Sequence, residues 1–354
     1  MGMHVAVVGG GDWSRTHLAA LSESPHVARI TLVARNQTSR DALQGEFVSI
    51  GAVSRELGPV LEDSSVDVVD IVLPHHLHCE VAHAALAAGK HVLCEKPASL
   101  TLEDFDRLQA TASSAERRFL VVMNQLYNPL NHRIRQLVDA GALGRPFLLA
   151  ENNYSQHAAS YRNPNTWRTR LATCGGGVLI DGGYHMVYKH LAWLAAHGYP
   201  TWVSATTAQL AIDPEGVVRA SQGEDFVSYT AGYAGPLRIN ASHAWTLAAN
   251  PTQPQLGLLA GTEATLEITR DAAHPLLLHE GGAAASSPRV LEVEEGPRSN
   301  PETLRECLLD YLAALLEERP PAYGSGQLSR RTLQLILAIY QSSAAGQRVE
   351  LSAP

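Results

Sequence analysis

Val5-Ala6-Val7-Val8-Gly9-Gly10-Gly11-Asp12-Trp13-Ser14 opens the chain with an apolar run, a glycine turn and the start of a helix. A short, wholly apolar run that ends in glycines is how a buried parallel strand feeds a helix. Gly9 permits the tight turn. Gly11 lets the backbone approach a pyrophosphate at the helix N-terminus, where unpaired N–H groups favour negative charge. Ser14 replaces the third glycine of the dinucleotide fingerprint and is still small enough for close helix–strand packing. In this strand–turn–helix context the spacing reads as a dinucleotide site.

Outward from that stretch, apolar runs at 4–8, 29–34, 68–73, 91–94 and 119–123 alternate with helical patterns at 16–22, 79–88 and 102–111. This alternation requires a parallel sheet wrapped by helices. Thr101 can cap the last of these helices. The second strand speaks to the choice of dinucleotide. It ends Val33-Ala34-Arg35-Asn36, with no acidic residue between Glu23 and Asp41 to accept the ribose hydroxyls. Arg35 is placed to meet a 2′-phosphate, with Arg40 assisting, so NADP is the expected cofactor and NAD the alternative.

After Asn124 the pattern changes. A helix at 132–140 and a strand at 145–151 precede Gly175-Gly176-Gly177 and a helical pattern over 179–196. Strand-like runs at 202–210, 225–231, 237–243 and 264–269 follow without crossover helices, which predicts a mostly antiparallel sheet. Residues 271–300 read as a hairpin, and two helices close the chain, the first capped by Asn300 with Pro301 at its first position. The domains predicted are 1–124, binding a dinucleotide, and 125–354, an α/β domain on a large, open, mostly antiparallel sheet.

With 354 residues, about two domains are expected. A formal net charge of −8 without a Lys/Arg cluster argues against nucleic acid as partner. No apolar run reaches the ~20 residues of a membrane span, and the N-terminus lacks a basic leader, so no membrane and a cytoplasmic location are expected. Cys79, Cys94, Cys174 and Cys307 show no close pairing that would suggest zinc or disulfides.

Ala87-Ala88-Gly89-Lys90-His91-Val92-Leu93-Cys94-Glu95-Lys96-Pro97, with Asp70 to His78 before it, strongly resembles the glucose–fructose oxidoreductase / inositol dehydrogenase (Gfo/Idh/MocA) family. Glu-Lys-Pro after the fifth strand is that family's hallmark. The likeness continues through Asn124, through Gly141 to Arg145, through Trp167-Arg168 and through Gly175 to His185, and so covers nearly the whole chain. It implies a Rossmann domain followed by an α/β domain whose open sheet floors the substrate site and often forms a homo-dimer or homo-tetramer interface. It also implies a cofactor site drawing on Gly9, Gly11, Asp12, Trp13, Ser14, Arg35, Asn36, Arg40, Pro74, His75, His78, Glu95, Lys96 and Asn124. No metal is implied, although His75, His76, His78, Cys79 and His83 cluster in sequence.

The residues support this independently. Lys96 follows a buried parallel strand at its C-terminal end, where open α/β sheets bind ligands. Asp181 and His185 are four residues apart and share a helix face. Lys96, Asp181 and His185 are therefore the catalytic candidates: the histidine can exchange a proton near neutral pH, and the lysine can polarise the same oxygen. Tyr154, His157, Tyr161, Trp167 and Arg168 join Asp181 and His185 on the substrate side, with His243 and Trp245 as weaker candidates. The leading expectation is an oxidoreductase moving hydride between nicotinamide and a secondary alcohol or ketone of a sugar, aminosugar or cyclitol. Two alternatives stay open: an NAD-retaining glycosidase of the same family, and a non-catalytic dinucleotide-binding regulatory protein.

Overall fold

The apolar runs of the first part become six parallel strands in a computed structural model that describes residues 2–155, 166–210, 221–245, 255–269, 271, 273–281, 287–324 and 326–352. Strands β1 (Met3–Val8), β2 (Val27–Val33), β3 (Ile50–Ser54), β4 (Val68–Ile71), β5 (His91–Cys94) and β6 (Phe119–Val121) lie in the order β3-β2-β1-β4-β5-β6. Every residue of β1 and β4 is buried, as strands covered on both faces require. Strand order reverses between β1 and β4, and sheets of this kind bind ligands beyond the strand ends at that point. The sequence reading passes over β3. It is an edge strand with only Ile50 buried, so it carries no continuous apolar signal.

Helices α1 (Asp12–Ser22), α2 (Gln37–Glu46), α3 (Gly58–Glu62), α4 (His75–Ala87) and α5 (Leu102–Ser114) connect these strands. Thr101 caps α5 as expected, its Oγ1 accepting from the Asp104 N–H at 3.1 Å. The chain forms two compact units, Met1–Asn128 with Pro297–Arg330 and Pro129–Gly296 with Arg331–Pro354. Where the sequence reading makes a single cut after Asn124, the chain returns to the first unit through α8 (Asn300–Leu316). The apolar face of that helix explains the return: Leu304, Cys307, Leu308, Tyr311 and Leu312 are buried in one core with Leu18, Leu21, Val5 and Leu93. The α8 cap also differs from expectation. Ser299, one residue upstream of Asn300, forms a capping box in which its Oγ accepts from Glu302 N–H and the Glu302 carboxylate accepts from Ser299 N–H.

The second unit is built on α6 (Pro129–Asp139), α7 (Tyr184–Trp193), most of α9 (Gly326–Ala345) and nine strands. These are β7 (Pro146–Tyr154), β8 (Trp202–Ala208), β9 (Phe226–Gly232), β10 (Arg238–Ala244), β11 (Gln255–Gly261), β12 (Ala264–Ile268), β13 (Leu276–Glu280), β14 (Arg289–Leu291) and β15 (Val349–Glu350). Their order is β14-β13-β12-β11-β7-β10-β9-β8-β15, and β7 with β10 is the parallel pairing in an otherwise antiparallel sheet. Register separates its faces sharply. Val203, Ala231, Ile239, Leu149, Leu259 and Leu266 pair in turn across the sheet and are at most 1% exposed. The next row, Ser204, Thr230, Asn240, Ala150, Leu258, Glu267, Leu277 and Val290, is part-exposed or exposed throughout. Along β8 beyond its short pairing with β15, Ser342 and Ser343 of α9 accept from the Ala205 and Thr207 N–H groups, which blunts an edge that would otherwise be open.

Candidate functional site

The candidate residues fall into two groups, one in each unit. In the first unit, Gly9 has φ +145°, a region that L side chains rarely adopt, and a Cβ there would collide with the Val72 carbonyl oxygen. A Cβ on Gly11, by contrast, would have nothing within 4 Å. Gly11 is the N-cap of α1 and offers no side-chain hydrogen bond, so the first N–H groups of the helix are left for another acceptor. Ser14 Oγ is buried without a hydrogen-bond partner among the described residues. An uncapped helix start, open space over Gly11 and an orphaned buried hydroxyl together fit a dinucleotide pyrophosphate.

Beneath this loop lies a buried charged network. Trp13 Nε1 donates to Glu95 Oε1 at 2.8 Å, and His17 Nε2 meets the same oxygen at 3.1 Å. His17 Nδ1 meets Asp70 Oδ2 at 2.8 Å, and Glu95 Oε2 accepts from the Lys96 N–H at 3.1 Å. Burial alone would lower the His17 pKa. The charge and hydrogen bond of Asp70, followed by those of Glu95, overcome it and push the pKa up to about 10. Burial likewise works to raise the Glu95 pKa, but His17, Lys96 and Trp13 bring it down to about 2. His17 is thus a buried cation clamped between two carboxylates. Lys96, 9% exposed, follows directly from the anchored Glu95.

Sequence reasoning missed His17. The available signal was its place on the α1 face that also buries Ser14, Leu18 and Leu21.

The other expected cofactor residues have varied placements. Asp12 and Arg35 are exposed, and Asp12 lies 3.7 Å from Arg15. Arg40 Nη1 donates to the carbonyl oxygens of Ala34 and Arg35, so it buttresses the end of β2. Asn36 Oδ1 caps α2 by accepting from Ser39 N–H at 2.9 Å. Pro74 stands at the N-cap of α4, and His75 is buried beside His78. Both ring nitrogens of His78 lie 2.7 Å from carbonyl oxygens, those of Pro97 and Leu73. Burial lowers its pKa, with the two carbonyls opposing. Asn124 Nδ2 donates to Thr303 Oγ1 at 3.1 Å and ties its turn to α8. Asn36, Arg40, His78 and Asn124 therefore all hold backbone or neighbouring elements. No group of three or more metal-ligating side chains converges among the described residues.

In the second unit, Asp181 lies in a π-helical turn, Leu179–Gly183, that runs into α7. The turn is anchored by Glu224, a residue the sequence offered no reason to single out. Its carboxylate accepts from the Gly177 and Leu179 N–H groups and from Tyr340 Oη at 2.8–2.9 Å. A Cβ on Gly177 would strike the Glu224 backbone, and one on Gly176 the Tyr340 hydroxyl, which explains the glycine run. Burial raises the Glu224 pKa against those three hydrogen bonds. Arg168 Nε donates to Asp181 Oδ2 at 3.1 Å, and the Arg168 guanidinium lies 4.4 Å from the centre of the Trp167 ring. His185 Nδ1 meets Tyr188 Oη at 2.7 Å. Trp245 and His243, at the end of β10, pack against Gly182 and Gly183.

Asp181, Trp167, Arg168, His243 and Trp245 thus gather about the turn that leads into α7, while His185 is the second residue of that helix and meets Tyr188. Tyr154 does not join them. Its hydroxyl meets Ser242 Oγ, which also donates to Asn152. Asn152 alternates along β7 with Glu151, whose carboxylate is taken by His190 of α7, so Tyr154 belongs to the opposite sheet face. His157 and Tyr161 lie outside the described residues.

Residues 3–123 match the model of an oxidoreductase family with an NAD-binding Rossmann fold, and residues 131–267 match the GFO/IDH/MocA C-terminal domain. The chain belongs to the Gfo/Idh/MocA family. Levoglucosan dehydrogenase of Pseudarthrobacter phenanthrenivorans is 26% identical to this Gfo/Idh/MocA chain over 194 residues, 52% of the chain and 49% of that protein. For 1,5-anhydro-D-fructose reductase of Ensifer adhaerens the identity is 36% over 164 residues, 41% of the chain and 47% of that protein. D-xylose 1-dehydrogenase [NADP(+)] of Haloarcula marismortui is 23% identical over 183 residues, 51% of each. The chain spans about half the length of the curated relatives it matches. Among solved structures, levoglucosan dehydrogenase in complex with NADH shares the fold with a TM-score of 0.87 at 19% identity over 100% of both chains. Aldose-aldose oxidoreductase from Caulobacter crescentus does so at 0.82 and 22%, over 99% of this chain and 100% of that one.

Proposed function

We propose that this protein moves hydride between a nicotinamide dinucleotide and a secondary alcohol or ketone of a sugar, aminosugar or cyclitol. The observation that carries the reading is Lys96, a nearly buried lysine at the end of β5, anchored through Glu95 to the helix that opens at the glycine loop. When bound, the dinucleotide supplies the redox chemistry. The α1 N-terminus and the loop at 9–14 hold the pyrophosphate. Exposed Arg35 meets a 2′-phosphate, which favours NADP; the named relatives include both an NADP-dependent dehydrogenase and an NADH complex. Lys96 polarises the reacting oxygen, and His185 exchanges its proton. Asp181, aligned by Arg168, accepts from a substrate hydroxyl, while the Trp167 ring suits the apolar carbon face of a polyol.

The part-exposed sheet row, which ends in Ala150, Leu258, Glu267, Leu277 and Val290 and so is apolar but for Glu267 at that end, supports self-association through that face. The four free thiols suit a reducing cytoplasm, and among the described residues no helix is long and apolar enough to cross a membrane.

Turnover across sugars, aminosugars, cyclitols and keto-sugars, with both cofactors, tests the reading. Lys96→Met is expected to lower kcat by about 10²-fold or more with cofactor binding nearly intact. Near-wild-type turnover removes Lys96 from the mechanism. Arg35→Asp is expected to weaken NADP relative to NAD in isothermal titration, and a wild type that prefers NAD rejects the phosphate assignment.

A further inference from the structure

Glu224 stands just ahead of β9, yet it takes up three successive N–H groups at the start of the turn that carries Asp181. Its carboxylate accepts from Gly177 at 2.8 Å and from Leu179 at 2.9 Å, and its own carbonyl oxygen accepts from Val178 at 2.8 Å. All three donors are backbone N–H groups, so the direction of each bond is fixed. The Tyr340 hydroxyl of α9 donates to the same carboxylate at 2.9 Å. A helix start leaves its first N–H groups to a local side chain or to water, and Val178 supplies no side-chain cap here. A glutamate 45 residues further along the chain provides the acceptors instead. The turn itself is π-helical, the Gly183 N–H reaching back five residues to the Val178 carbonyl at 2.7 Å. Such a turn holds one residue more than α spacing, and a return to α spacing would rotate its side chains by up to about 100°.

We propose that Glu224 is a positioning residue: by capping this turn from a distant segment, it fixes the π register that aims the Asp181 carboxylate. The inference rests on the reading that Asp181 accepts from a substrate hydroxyl. Glu224 acts on the substrate only through the backbone of residues 177–179. Arg168 reports the register from the other side, because its Nε donates to Asp181 Oδ2 at 3.1 Å only while the carboxylate keeps its aim.

Glu224→Gln replaces one acceptor oxygen with an NH2 group that cannot accept from a backbone N–H. The best wild-type substrate among D-glucose, D-xylose, D-glucosamine and myo-inositol serves as the probe. Its KM is expected to rise about tenfold while kcat stays within about threefold, because a binding contact is misaimed and the reacting groups are not. In an Asp181→Ala background the same substitution should change KM by less than about twofold, whereas a glutamate with a merely structural role would add its full effect. A second readout needs no turnover. The Arg168 Nε–H, assigned in ¹⁵N spectra by its loss in Arg168→Lys, should exchange slowly with solvent in wild type and about tenfold faster in Glu224→Gln. Additive KM changes, or unchanged exchange in a folded Glu224→Gln, overturn the proposal. If Glu224→Gln does not fold, Tyr340→Phe removes one donor from the same carboxylate and takes its place, with about a threefold effect on both readouts. A wild-type KM in Asp181→Ala instead overturns the substrate role of Asp181, and the Arg168 signal still decides whether Glu224 sets the turn.

Discussion

Each unit holds a desolvated glutamate beside a candidate catalytic residue, and the two behave in opposite ways. Glu95 shares its oxygens among Trp13, the Lys96 N–H and the His17 imidazolium, and its pKa is held down to about 2. Glu224 keeps part of its surface open, yet its carboxylate is enclosed by two N–H groups and the Tyr340 hydroxyl, and its pKa is raised. Both accept three hydrogen bonds or more within a fold that desolvates them. The difference is a cation. Neutral donors soften the cost of burying a carboxylate, but an adjacent positive charge is what keeps it ionised. Glu151 repeats the lesson in the second unit: burial would raise its pKa, but Lys189, His190 and His243 bring it down to about 2.

Removing the cation is the most severe way to break this contrast. His17→Asn takes from buried Asp70 and Glu95 the imidazolium they share, leaving Lys96 as the positive neighbour of Glu95, and is expected to cost about 3–5 kcal/mol in chemical denaturation. The His17 pKa is raised from 6.5 to about 10, so its contribution is complete below pH 6.5 and is lost as pH rises through 10. The stability gap to wild type should close over that range, and a gap independent of pH would show that His17 is not charged.

Glu95→Gln and Glu224→Gln sharpen the comparison, each at a cost of about 1–3 kcal/mol from an unsatisfied buried donor. Their pH slopes should be opposite. Glu95, lowered from 4.5 to about 2, contributes fully above pH 4.5, so its gap to wild type shrinks as acid is added toward pH 2. Glu224, raised from 4.5, contributes in acid and loses that contribution as pH rises above 4.5, so its gap shrinks in the other direction. Parallel slopes in the two urea titrations would remove the distinction.

The smallest change is Gly182→Ala. It places a methyl group against the Trp245 indole without touching either glutamate, and is expected to cost about 1 kcal/mol as the ring shifts. Tryptophan emission and melting temperature should both move; if neither does, the close packing of Trp245 on the Asp181 turn is wrong.

The chain order of its residues determined much of this protein. Val5 to Ser14 specified strand, turn and helix because the geometry demanded of Gly9 is local, and β1, β4 and β5 were legible because strands buried on both faces are apolar at most positions. Lys96, Asp181 and His185 were legible as candidates for a related reason: each stands in a short contiguous motif, Glu95-Lys96-Pro97 or the run from Gly175 to His185. Tertiary structure decided what depends on distant partners. Exposed edge strand β3 carries no pattern to read, and α8 follows its apolar face back to a core formed nearly three hundred residues earlier. Asn36, Arg40, His78 and Asn124 are polar residues whose partners became visible only when the chain closed around them. His17 owes its charge to Asp70 and Glu95, 53 and 78 residues away, and Glu224 reaches back 45 residues to hold the turn of Asp181. A side chain's identity is written in the sequence, whereas its protonation state depends on neighbours that only folding supplies.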